Sequence, residues 1–279
     1  MTRNMPSALS GRKLYGDDFS AEQIAQWFRE EQEAYYQLTR TYGEYRYSYH
    51  ARNIEHGFRH LPGGTFQKVL GIGSAYGDEL APILNRCCEV TILEPSDGFK
   101  NPAFKYVKPQ PSGVMPFPDA TFDLVTCLGV LHHIPNVSTA LREIGRVLKP
   151  SGHALVSEPI ISMGDWTGRR RGLTKNERGI PIALFREFIA NSGLTVTREH
   201  LHSFALTSRW AYLVRRPPYN IKWIVKLDSF LCALPIWFRC YHPRLAIQKL
   251  RATAVFFVLT KKPDAPPNAS NQRVHLLAR

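Results

Sequence analysis

The chain has 279 residues, of which 44% are hydrophobic and 21% charged, enough apolar material for a sizeable core and too much for a wholly disordered polymer. Its formal net charge of +13 predicts an anionic partner, whether nucleic acid, a membrane surface or a phosphorylated substrate, and cannot choose among them. The five cysteines form no C-x-x-C pair and no zinc-like spacing with His, Met1 to Ser20 holds no apolar leader, and no run of about 18 uncharged apolar residues could span a bilayer, so the expected home is a reducing cytosol.

In chain order, residues 1–60 predict a helical lid. Ser20-Ala21-Glu22-Gln23 fits a capping box, and Ile24, Trp27, Phe28, Tyr35 and Leu38 follow at helical spacing, predicting one long amphipathic helix. The aromatic tract Tyr42 to His50 either walls a substrate site or packs the lid onto the core. Residues 61–262 form the main domain, opened by Leu61-Pro62-Gly63-Gly64. Val69 to Ile72 predicts a short buried strand running into a turn of small residues, Gly71, Gly73, Ser74, Ala75 and Gly77, and Asp78 to Leu84 restarts as a helix. Strand, glycine turn and helix in this order bring backbone N–H groups and a helix N-terminus close to a ligand.

Glu89 to Glu94 is a β-branched strand ending on a carboxylate about 20 residues beyond the turn, where βαβ units place the acid that meets ribose hydroxyls. The plain alternative is a surface Glu at a strand end. Further strands are predicted at Phe122–Cys127, His153–Glu158, Thr195–His200 and Ala254–Thr260, with helices at Val137–Leu148 and Leu184–Ser192. Such alternation implies an α/β fold with a mostly parallel sheet whose ligands sit at the carboxyl ends of the strands.

Two nucleotide readings fail on spacing. A dinucleotide G-x-G-x-x-G starting at Gly73 would need glycines where Ala75 and Asp78 stand. Asn101-Pro102-Ala103-Phe104 imitates the tetrad of amino-methylating nucleic-acid enzymes but precedes the third strand instead of following the fourth.

Nine basic residues between Phe204 and Arg251 (Arg209, Arg215, Arg216, Lys222, Lys226, Arg239, Arg244, Lys249, Arg251) face the single acid Asp228 and alternate with aromatic and aliphatic residues. This insertion, 204–251, reads either as a helical cap over an acceptor pocket or as a surface that docks on an anionic membrane. No RNA-binding signature accompanies the charge. The tail, 263–279, is expected to be flexible.

Three linked segments, Met115-Pro116-Phe117-Pro118-Asp119-Ala120-Thr121-Phe122-Asp123-Leu124-Val125, Val130-Leu131-His132-His133-Ile134 and Arg146-Val147-Leu148-Lys149-Pro150-Ser151-Gly152, resemble class I S-adenosylmethionine-dependent methyltransferases of the type 11 group. The resemblance implies a Rossmann-like, seven-stranded sheet whose last strand is antiparallel. It also implies S-adenosyl-L-methionine as cofactor, with Gly73 and Gly77 matching the first turn and Glu94 matching the ribose acid. Gly71 stands where the family has an acidic residue and Ala75 where it has a glycine. Adenine would rest on Ser112, Gly113 and Val114, and Leu128 completes the cofactor set. His132 and His133 are candidate general bases, or braces of the loop that follows. No carboxylate cluster in the sequence points to a metal. The expected reaction is O-methylation of a small-molecule, glycan or lipid-linked acceptor by a cytoplasmic enzyme, either free or resting on the inner face of the membrane. The rival is a non-catalytic binding protein on the same fold.

Overall fold

A computed structural model describes residues 8–42, 45–164, 166, 170, 172–207, 217–234 and 240–262. Arg209, Trp210, Tyr212, Arg215, Arg216, Ile236, Trp237, Phe238 and Arg239 of the insertion, and the tail expected to be flexible, lie outside them.

Seven strands form one sheet: β1 (Phe66–Ile72), β2 (Cys87–Leu93), β3 (Lys105–Val107), β4 (Phe122–Leu128), β5 (Leu148–Pro159), β6 (Leu194–Phe204) and β7 (Ala252–Lys261), in the order β3-β2-β1-β4-β5-β7-β6. The first five pair in parallel, and β7 runs antiparallel to both β5 and β6. This is the expected α/β, Rossmann-like sheet with an antiparallel last strand. The strand order reverses between β1 and β4, the switch point at which open α/β sheets bind ligands.

Side chains alternate across the sheet, so neighbouring Phe256 and Phe257 enter opposite cores. On one face Leu70, Val125, Val156 and Phe257 pack with Leu141 and Ile144 of α4 (Val137–Val147) and with Phe185 and Ile189 of α5 (Ile182–Ala190). On the other, Val69, Ile92, Leu124 and Phe256 pack with Phe58, Leu80 and Ile83.

Two local expectations change. The single N-terminal helix is two, α1 (Ala21–Glu31) and α2 (Ala34–Tyr42). The Ser20–Gln23 capping box forms as read, and the break leaves Glu33 free to accept from Ser96 Oγ at 2.7 Å and Asp97 N at 2.9 Å. The stretch after the glycine turn, Asp78–Arg86, is a 3-10 helix with Pro82 inside it. Proline has no N–H to give the Asp78 carbonyl, and that oxygen instead meets His50 Nε2 at 2.7 Å, from α3 (His50–His56). Within the insertion, α6 (Lys222–Ala233) buries Ile224, Val225, Asp228 and Cys232, and the Asp228 carboxylate accepts from Ser203 N and Phe204 N at 2.7 and 2.8 Å. No described helix is long and apolar enough to cross a membrane.

Candidate functional site

A cavity of about 550 Å³ opens at the switch point, within the range of small-molecule sites. Of the residues read from the sequence, Gly73, Ser74, Glu94, Gly113, Val114, Leu128, His132 and His133 line it, while Gly71, Gly77 and Ser112 do not. Each of those three shapes the site from behind. Ser74 Oγ fills the space that a side chain at Gly71 would need, and Gly77 takes φ +80°, which only glycine adopts freely. The Ser112 carbonyl accepts from Asn136 Nδ2 at 2.7 Å, fixing the loop that presents Gly113 and Val114.

Glu94 sits at the end of β2, buried, with Oε2 accepting from Ala75 N and Oε1 from Ser96 N, each at 3.1 Å. Burial raises its pKa against those two bonds. Gly73 (φ +58°) bends the chain against Val130, leaving the turn without a Cβ on its cavity side.

Both histidines are held by carboxylates that the sequence did not nominate. His132 Nδ1 lies 2.7 Å from Glu158 Oε2, and the same carboxylate accepts from Val130 N and Leu131 N at 2.7 Å and from His132 N at 3.3 Å. His133 Nδ1 lies 3.0 Å from Glu31 Oε2, with Glu177 Oε1 3.9 Å from its other nitrogen. Burial works against a charge on His133, but the Glu31 hydrogen bond and the nearby Glu177 outweigh it, so its pKa is raised while that of Glu31 is lowered. His132, His133 and Glu177 also offer ligand atoms within 4.8 Å of one another, a grouping invisible in the sequence.

The loop carrying both rings is fastened by Arg178. Its buried guanidinium donates to five carbonyls, those of Tyr15, Leu131, His132, Ile134 and Pro135, at 2.8 to 3.3 Å, and lies 5.2 Å from the Trp27 ring centroid. Burial lowers its pKa to about 10, so it stays charged at neutral pH. Trp27 Nε1 in turn donates to the His133 carbonyl at 2.7 Å. Glu158 was legible as a second strand-end acid; Glu31, Glu177 and Arg178 had no local signal.

The family profile described as a methyltransferase domain matches residues 70–156. The chain is 34% identical over 110 residues to the ubiquinone/menaquinone biosynthesis C-methyltransferase UbiE of Xanthomonas campestris pv. campestris, covering 38% of this chain and 43% of that one. It is 41% identical over 44 residues to the 27-O-demethylrifamycin SV methyltransferase of Amycolatopsis mediterranei, covering 16% of each. The chain thus spans less than half the length of these curated relatives. Among solved structures, a chain of the complex between the Haloferax volcanii Trm112 methyltransferase activator and a methyltransferase superposes with a TM-score of 0.56 at 15% identity, covering 85% of this chain and all of that one; at that identity the likeness concerns the fold.

The residues present fit the cofactor this family implies: a Cβ-free turn at Gly73, a carboxylate at the end of β2 on the cavity wall, and a loop whose Gly113 and Val114 also line it. Residues 70–156 are a methyltransferase domain of the class I, type 11 group, whose cofactor is S-adenosyl-L-methionine.

Proposed function

We propose that the chain methylates a hydroxyl group of a small or lipid-linked acceptor held in the cavity beside His132. The observation that carries this reading is that one cavity contains both the Glu94–Gly73 cradle and the His132–Glu158 pair. S-adenosylmethionine, when bound, supplies an electrophilic methyl group. The protein's own part is to hold the acceptor in line with that methyl and to take up the hydroxyl proton. Glu158 fixes Nδ1 of His132 and leaves Nε2 as the nitrogen available to accept a proton. Tyr35, Tyr45, Tyr47 and Tyr49 also line the cavity, which favours a flat or apolar acceptor.

Calorimetry with S-adenosylmethionine tests the cofactor half of the reading. No binding at millimolar concentration would remove the enzyme in favour of a non-catalytic protein on the same fold. Isotope-labelled cofactor then reports whether the transferred methyl ends on oxygen or on carbon. The C-methyltransferase relative favours carbon as the second reading; an acid–base pair could equally activate a phenol for attack through its ring.

The outer face of α6 supports a membrane partner. Lys222, Trp223, Lys226 and Phe230 are all exposed, Trp223 at 59% and Phe230 at 64%, and no described residue between 205 and 251 lines the cavity. A cap over the acceptor pocket is therefore the poorer account of the described part of the insertion. Cationic and aromatic side chains on one helix face suit an interface of anionic headgroups and acyl chains, at the cytosolic side of a membrane. Flotation with anionic and neutral vesicles checks this: selective binding to the anionic ones is expected, and equal binding or none refutes it.

A further inference from the structure

Glu79 is 2% exposed and lies on the cavity wall beside Ser74 and Gly73. Its two hydrogen bonds both end on Oε1, from Ser74 Oγ at 2.8 Å and Thr126 Oγ1 at 2.5 Å, and Oε2 takes neither. Three other buried carboxylates of the site are compensated more fully. Glu158 has three backbone N–H groups and His132; Glu31 has His133, Thr174 and Asn176 N; Glu94 has two backbone N–H groups. Glu79 has two neutral hydroxyls. The charge acting on it is that of Glu94, which pushes its pKa in the same direction as burial, to about 7. An ionised carboxylate buried without a cation is costly, and one that faces a cavity is placed to receive the cation from a ligand.

Its position is informative. Thr126 on β4 is the register partner of Gly71 on β1, and Ser74 Oγ occupies the volume that a side chain at residue 71 would need. Both groups that hold Glu79 thus converge on Gly71, the strand position at which the resemblance implies an acidic residue. The carboxylate missing from the strand has been replaced by one from the first turn of the following 3-10 helix.

We propose that Glu79 Oε2 binds the ammonium group at the amino-acid end of the cofactor, with Ser74 and Thr126 holding the carboxylate in place through Oε1. This rests on the reading of S-adenosylmethionine as the ligand of the cavity. The interaction is a charge-assisted hydrogen bond made by a group that pairs with no cation among the described residues, so it discriminates between ligands that carry the ammonium and ligands that lack it.

The test is calorimetric affinity of the full chain for S-adenosylmethionine, S-adenosylhomocysteine and 5′-methylthioadenosine, the last of which keeps the nucleoside and sulfur but has no amino-acid end. In Glu79→Gln the amide oxygen can keep both hydroxyl bonds while the NH2 faces the ammonium. The expected result is a loss of about 10- to 100-fold in affinity for the first two ligands and less than twofold for methylthioadenosine. Equal loss for all three, or none for any, overturns the assignment. Thr126→Val, which leaves the charge but loosens its hold, should weaken the same two ligands by a smaller factor; an equal effect on methylthioadenosine overturns the assignment by a route that does not depend on the Gln variant folding. If the wild-type chain binds none of the three, methylthioadenosine included, the cofactor reading itself falls and this one falls with it.

Discussion

The same carboxylate makes a prediction about stability that runs opposite to its role in binding. Burial raises Glu79 from its ordinary 4.5 to about 7 in the folded chain. Because the folded pKa is the higher one, the folded state holds a proton that the unfolded state has lost, and stability from this group falls as pH rises from 4.5 to 7, then stays level. At 1.36 kcal/mol for each pK unit, the penalty above pH 7 is about 3 kcal/mol. Glu79→Gln has no proton to lose, so ligand-free variant and wild type should unfold at similar urea concentrations at pH 4.5. At pH 8 the variant should be more stable by about 3 kcal/mol, with the difference accumulating between pH 4.5 and 7. Saturating S-adenosylmethionine should narrow or reverse the gap, since the ligand stabilises the wild type more. A difference that does not vary with pH, or a variant less stable at pH 8, would refute the argument that an uncompensated charge is held there.

Ala75 occupies the left-handed region at φ +49°, a conformation costing a non-glycine residue about 1–2 kcal/mol, partly offset by glycine's larger loss of backbone freedom on folding. Ala75→Gly should therefore raise stability by about 0.5–1 kcal/mol in thermal unfolding, and a lower midpoint would show that packing of the buried methyl dominates. If His132 is the base, His132→Asn should lower kcat by about 10²–10⁴ with a modest change in KM; KM rising at constant kcat would make it a binding group. His56 is buried and stacked on His202 with ring centroids 5.6 Å apart, and burial, with help from the neighbouring His200, holds its pKa down at about 3. Its neutral form is favoured by folding, so stability is intact above pH 6.5 and is lost below it, by about 2 kcal/mol between pH 6.5 and 5. His56→Phe should flatten that decline in urea titrations, and an unchanged slope would assign the acid sensitivity elsewhere.

What the sequence made legible was carried by short-range pattern. Apolar periodicity located every central strand, and the step from Gly73 to Glu94 pointed to the strand ends at which the cavity opens. The histidine pair was visible too, but not what governs it. Glu31, Glu177 and Arg178 act on residues about 100, 44 and 45 positions away in the chain, and nothing local to them distinguishes a partner of the site from an ordinary surface charge. The split between α1 and α2 and the 3-10 form of Asp78–Arg86 were also missed, because each depends on a tertiary partner: Ser96 and Asp97 for Glu33, and His50 for the carbonyl of Asp78.

The five carbonyls gathered by Arg178 bear on where the working unit begins and ends. Residues 70–156, the part that is recognisably a methyltransferase domain, contain both histidines but stop two positions short of Glu158, the carboxylate that holds His132. The cation that bends their loop comes from position 178, one of its five acceptors from position 15, and the carboxylates beside His133 from positions 31 and 177. A graft of 70–156 alone onto another scaffold would carry the rings and leave behind the groups that aim them. The unit that is similar to other proteins is smaller than the unit that is organised for chemistry, and the boundary between them is drawn by a guanidinium that is bonded to carbonyls and, among the described residues, to no carboxylate.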